Sequence, residues 1–326
     1  MPENNTPRAS DANAITRRYL DSILIEERLI DARTASLDTQ IFGTVFRTPV
    51  MMPAFSHLYR YQKERNAMMD YTLAAKELGA LNWVGMGEND EIGEILDTGV
   101  KTVRVIKPYA DRDKIFDQIA YSEAHGAFAL GLDIDHIFGK DGEYDVVFGE
   151  RMTRQTQTDL REYVEATKLP FIVKGVLSVT DAVKSVECGA RGILVSHHHG
   201  RMPFALPPLM VLPAICRALW DAEGVEIFVD CGIASGADVF KALALGAKAV
   251  GVGRAMMPAL VQDGTDGVVR CVTEINRELR TLMNYTGCAD PLEIGPDLLW
   301  KDGKPLASRE GDLSFPVDLS EPSPGT

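Results

Sequence analysis

The chain is expected to fold as a (β/α)8 TIM barrel with an N-terminal helical extension, and three features of the sequence predict it. From Thr48 onward, short apolar runs alternate with helical patterns at intervals of roughly 20 to 40 residues. The runs are nearly continuous rather than alternating, as strands buried on both faces of a parallel sheet require. No Gly-x-Gly-x-x-Gly follows an early strand, so eight such units favour closure over an open dinucleotide-binding sheet.

Residues 1–13 and 312–326 are rich in Pro, Ser, Asn, Asp and Glu and read as mobile tails. Ile15, Leu20, Ile23, Leu24 and Leu29 recur at roughly helical spacing, which predicts an amphipathic helix over Ile15–Ala32, within an extension spanning 14–47. The expected barrel runs over 48–290. Its strands are Pro49–Ala54, Asn82–Met86, Thr102–Lys107, Phe128–Asp133, Phe171–Gly175, Gly192–His197, Glu226–Cys231 and Ala249–Arg254. Helical patterns fill Glu64–Glu77, Arg112–His125, Thr158–Thr167, Val179–Glu187, Pro207–Asp221 and Ala237–Ala244. Most end in a Gly just before the next strand, the usual helix C-cap. Residues 291–326 form a C-terminal extension and tail.

Composition narrows the partners. With 326 residues, 45% of them hydrophobic, the chain can bury a large core. A formal charge of -13 without a basic run argues against nucleic acid and anionic membrane surfaces. No apolar run approaches the roughly 20 residues that span a bilayer. Five scattered cysteines without a Cys-x-x-Cys pair point to a reducing, cytoplasmic setting and no structural zinc.

In such a barrel the reactive groups gather where the strands end. Those ends carry Ala54, Lys107, Asp133, Asp135, Lys174, Asp230, Gly232, Gly253, Arg254 and the stretch Ser196-His-His-His-Gly-Arg201. Half of the six histidines lie in that last stretch. A metal site is not expected there, because side chains on a strand alternate and at most His197 and His199 share a face.

Three blocks carry a resemblance: Phe171-Ile-Val-Lys-Gly-Val176, Gly192-Ile-Leu-Val-Ser-His-His-His-Gly-Arg201, and the run from Phe228-Val-Asp-Cys-Gly through Gly253-Arg254. The chain resembles the FMN-dependent α-hydroxy acid oxidases and dehydrogenases, such as glycolate oxidase and flavin-linked lactate dehydrogenase. The likeness covers roughly Ile41–Gly287 and is strongest after Phe171.

The resemblance implies an FMN cofactor, a small carboxylate substrate and a homotetramer or larger assembly. It makes His198 the catalytic base, oriented by Asp133, and Arg201 the clamp for a substrate carboxylate. Lys174 is expected against the flavin N1 and O2, Asp230 on the ribityl chain, Gly232, Gly253 and Arg254 around the phosphate, and Ala54 and Ser196 along the cofactor. Lys107 and His199 fall where substrate contacts are expected.

Departures from the pattern are equally specific. Val105, Lys107 and Gly131 stand where relatives carry Gln, Tyr and Thr, Ala234 replaces an arginine, and His197 and His199 replace Asn and Gly. Lys140 is the nearest cation to a second carboxylate ligand that has no clear match. The expected reaction is His-assisted oxidation of a 2-hydroxy carboxylate, or a related activated C–H substrate, with hydride transfer to flavin N5. The alternatives are a redox-neutral FMN isomerase or lyase-like enzyme, and a flavin-binding protein without turnover.

Overall fold

The structure is a computed structural model that describes residues 8–58 and 65–307. The expectations for residues 1–7 and 308–326 lie outside it. Eight parallel strands form one sheet: β1 (Val50–Met51), β2 (Asn82–Val84), β3 (Thr102–Ile106), β4 (Ala129–Asp133), β5 (Phe171–Val176), β6 (Gly192–Val195), β7 (Glu226–Val229) and β8 (Ala249–Gly251). Each pairs with its sequence neighbour, and β8 returns to β1. Closure between β1 and β2 comes from Met52 N–H to Leu81 O at 2.9 Å and Gly85 N–H to Phe55 O at 2.7 Å. The ring is the (β/α)8 barrel that the strand spacing predicts, and all five residues of both β3 and β4 are buried.

The described helices are α1 (Ala12–Asp21), α2 (Ala67–Leu78), α3 (Asn89–Asp97), α4 (Arg112–Ala124), α5 (Gln157–Glu165), α6 (Val179–Glu187), α7 (Pro208–Ala218), α8 (Gly236–Ala244) and α9 (Met257–Tyr285). Two of these, α3 and α9, are absent from the sequence reading. Helix α3 is short and acidic, and Asn89 at its start accepts a 2.7 Å hydrogen bond from Arg104, a guanidinium 1% exposed on β3. Helix α9 is broken at Gly264, which divides its apolar pattern in two.

The expected helix Ile15–Ala32 is also corrected. Asp11 caps α1 through Asn13 N–H at 2.9 Å, so residues 12 and 13 belong to the helix rather than to a tail. The helix stops at Asp21 because Leu24 and Ile25 pair antiparallel with Trp300 and Leu299, and that strand overrides the helical spacing. Leu24 and Leu29 are 65% and 54% exposed.

One end of the barrel is closed by a hairpin, Thr39–Ile41 with Thr44–Phe46, whose Phe42–Gly43 turn has positive φ at both residues. Phe42 stacks edge-on against Phe228 at 5.9 Å and lies 6.2 Å from Phe128, at the start of β4. Ile41 and Phe46 join Met51, Trp83, Val103, Ile172 and Leu194 in the barrel interior. The other end, where the strands finish, carries the titratable groups.

Candidate active site

Strand register builds the centre of the site. Asp133 on β4 and Lys174 on β5 are direct partners in the sheet, so their side chains meet, with Lys174 Nζ 3.0 Å from Asp133 Oδ1. Lys107 follows β3 and contacts the other oxygen, Asp133 Oδ2. Burial opposes the charge on Asp133, but the two ammonium groups outweigh it and hold the carboxyl well below the ordinary range. Lys174 is likewise held above its usual range, burial being overcome chiefly by Asp133.

His198 lies beside this triad. Its Nδ1 is 2.7 Å from Asp135 Oδ1 and 3.6 Å from Asp133 Oδ1. Asp135 makes the shorter contact with His198, and Asp133, which also holds the two lysines, lies behind it. Gly175, with φ +92°, makes this possible, since a β-carbon there would overlap the Asp135 carboxyl. Lys174 Nζ also lies 3.4 Å from Nδ1, but the 2.7 Å contact to a carboxylate, which only accepts when ionised, dominates, so Nδ1 carries the proton and Nε2 is the basic nitrogen of the neutral ring. Burial and Lys174 lower the His198 pKa, Asp133 and Asp135 raise it, and the net shift is upward.

The three histidines do not alternate as on a strand. β6 ends at Val195, and His198, His199 and Gly200 all have positive φ, 44°, 62° and 74°. That turn sends the rings in different directions. His198 borders a cavity of about 240 Å³ lined also by Ser56, His57, Met86, Lys107, His136 and Phe148. His199 instead faces α1, its Nδ1 2.7 Å from Asn13 Oδ1, which removes the expected substrate contact. His197 Nε2 is 2.9 Å from Thr16 Oγ1.

Arg201 is anchored by Nη2 to Phe138 O at 2.7 Å and to Asp145 at 3.3 Å, and it does not line the cavity. Asp145 also receives His136 Nε2 at 3.0 Å, while His136 Nδ1 accepts from Lys107 at 3.0 Å. His136 is therefore locked as the neutral Nε2–H form, and burial followed by Lys107 lowers its pKa to about 4. The sequence reading missed His136 and Asp145. Their only signal was a titratable pair in the loop that follows β4.

On the far side, Ser196 Oγ accepts from His198 N at 3.1 Å and lies 3.5 Å from Cys231 Sγ. Cys231 donates to Asp230 at 3.0 Å, and burial pushes its thiol up to about 12. Gly232 is covered by α1, whose Arg17 donates to its carbonyl at 3.1 Å. Ala54 and Gly253 follow β1 and β8, and Arg254 opens the turn into α9.

Among the described residues, Asp133, His136 and His198 bring metal-ligand atoms within 4.8 Å of one another. Two lysine ammoniums contact the same carboxylate, so a cation there meets repulsion from both. The donor set fits an anionic, electron-accepting ring at Lys174 and a phosphate near Arg254 better than it fits a metal ion. That is the donor chemistry of a flavin nucleotide.

The FMN-dependent dehydrogenase family matches this sequence over residues 10–158 and 140–301. The chain belongs to that family. Its cofactor is FMN, and it is an enzyme, an oxidoreductase. An L-lactate oxidase from Roseobacter sp. (strain GAI101) is 42% identical over 161 residues, a match spanning 49% of this chain but only 43% of that protein. A 2-hydroxyacid oxidase from Dictyostelium discoideum is 27% identical over 91% of this chain and 83% of its own length. A solved structure of mandelate oxidase with benzoyl-formic acid superposes with a TM-score of 0.78 at 27% identity, covering 87% of this chain and 88% of that one. Among the described residues no helix is long and apolar enough to cross a membrane.

Proposed function

We propose that the protein oxidises a small 2-hydroxy carboxylate, with His198 as the base. The observation that carries this reading is the His198 Nδ1–H to Asp135 hydrogen bond, which leaves Nε2 as the proton acceptor at a cavity bordered by Lys107. His198 takes the substrate hydroxyl proton, and Asp135 with Asp133 stabilises the imidazolium that forms. FMN, when bound, supplies the acceptor for the electron pair that leaves with the α-hydrogen.

The remaining residues position and balance charge. Lys174 places a permanent cation where the ring is expected, which favours the reduced form. Lys107 offers a cation for the substrate carboxylate on the cavity wall, while Arg201, the clamp on the family pattern alone, is tied by Nη2 to the loop after β4. Ala54, Ser196, Asp230, Gly232, Gly253 and Arg254 are proposed as cofactor contacts, on the family pattern and on their place at the strand ends. The family resemblance supports a homotetramer or larger assembly, and the free cysteines support a reducing, cytoplasmic setting.

The test is anaerobic mixing of the FMN-loaded protein with a panel of 2-hydroxy acids. The reading predicts bleaching of the oxidised flavin and one equivalent of 2-oxo acid per flavin. A flavin that stays oxidised with every acid, or turnover to a redox-neutral product, would sink it.

A further inference from the structure

The two histidines that flank His198 are engaged by α1 rather than by the cavity. Asn13 Nδ2 donates to His199 O at 3.1 Å, and its Oδ1 lies 2.7 Å from His199 Nδ1. Phe204 N–H donates to Ser10 O at 3.0 Å. His197 sits at the centre: its Nδ1 accepts from Gly200 N–H at 3.0 Å, so Nε2 carries the proton and donates to Thr16 Oγ1 at 2.9 Å. Arg17, one residue on, reaches the other cofactor loop, pairing with Asp238 at 2.8 and 2.9 Å and bonding to Gly232 O. Helix α1 therefore ties together the loops that carry Ser196 and His198 on one side and Gly232 on the other.

We propose that α1 and His197 form a latch on the cofactor end of the barrel, so that neutral His197 holds FMN in place and its protonation releases it. The proposal rests on the placement of FMN against these two loops. A protonated Nδ1 has no lone pair, so the Gly200 N–H would face a second donor. The left-handed run from His198 to Gly200 is costly for its two non-glycine residues and depends on being held from outside.

The groups that face His197 are Thr16 from α1, Asp230 from the end of β7, Asp135 from the loop after β4, Arg254 from beyond β8, and His199 on its own loop. Burial lowers the His197 pKa and Arg254 adds to the effect, against Asp230 and Asp135, so the latch stays closed at neutral pH and opens on acidification.

The experiment follows FMN release from the holoenzyme by the rise in flavin fluorescence after dilution, between pH 8 and pH 5. Wild type is expected to release FMN faster as the pH falls. His197→Asn keeps an amide donor and acceptor, so it should release slowly at pH 8 and lose the part of the acid limb that belongs to His197. The phosphate ionisation of FMN is common to both proteins and cancels in the comparison. Thr16→Val should release FMN about tenfold faster at pH 8, the equivalent of one buried hydrogen bond, and it decides the matter if the His197 variant fails to fold. An unchanged acid limb in His197→Asn, or wild-type release from Thr16→Val, overturns the latch. A wild-type protein that takes up no FMN overturns the placement beneath it.

Discussion

Burial and Lys174 both push the His198 imidazole toward its neutral form, and Asp133 and Asp135 outweigh them. Asp135 makes the shorter contact, and it fits only because Gly175 has no side chain. Asp135→Asn removes the charge and keeps a hydrogen-bond acceptor. We expect the acid limb of flavin reduction to move about one pH unit lower and the plateau rate to fall about tenfold. Stopped-flow reduction across pH 5 to 9 reads both, and a profile identical to wild type would return the positioning role to Asp133. His198, Asp133 and Lys174 were legible in the sequence because each stands at or just beyond the end of an apolar strand. Asp135 was legible as a strand-end carboxylate but not as the nearer partner of His198, and His136 and Asp145 were not legible, since their positions depend on how the loop after β4 folds back. His199 was read as a substrate contact but faces α1, because a left-handed turn cannot be inferred from non-glycine residues.

The strands were the most legible elements. Burial on both faces leaves a continuous apolar run, and each of the eight predicted runs coincides with a strand of the barrel, the fifth strand running one residue beyond its run. Helix α1 was overextended because its apolar spacing continues into a segment that instead pairs with Leu299 and Trp300. The hairpin at residues 39–46 left little trace, since its contribution lies in aromatic contacts with residues nearly 90 to 190 positions away. Truncating Phe42 to Ala opens a void against Phe128 and Phe228 and should cost about 2 to 4 kcal/mol, lowering the melting temperature by on the order of 5 °C. The hairpin closes the end opposite the site, so flavin reduction should keep its wild-type rate. Calorimetry together with stopped-flow separates the two effects, and a slowed reduction without loss of stability would contradict this division between the ends.

Acid stability belongs to the molecule as a whole. His136 and His199 titrate at about 4 in the folded protein, and His197 is also lowered, burial being the leading cause in each. A histidine held below its unfolded value of about 6.5 stabilises the fold at neutral pH, and that contribution is lost as the pH falls toward 4. His198 runs the other way: it stabilises below about 6.5 and loses its contribution as the pH rises through its raised value. Asp133 adds stability that disappears only near or below about 3.8, the unperturbed value. Among the shifted histidines three are lowered and one is raised, which predicts a urea midpoint that declines from pH 7 to pH 4.5. A flat or rising midpoint would show that other ionisations dominate.

The most direct test of the central claim, that His198 is the base in an FMN-dependent 2-hydroxy acid oxidation, compares wild type with His198→Gln under anaerobic rapid mixing. The substrate is whichever acid bleaches the wild-type flavin fastest. The predicted result is that the variant retains FMN and its absorbance spectrum while reduction slows by about 10²- to 10⁴-fold, the range for loss of a general base. Reduction of the variant at the wild-type rate, with FMN bound, would contradict it.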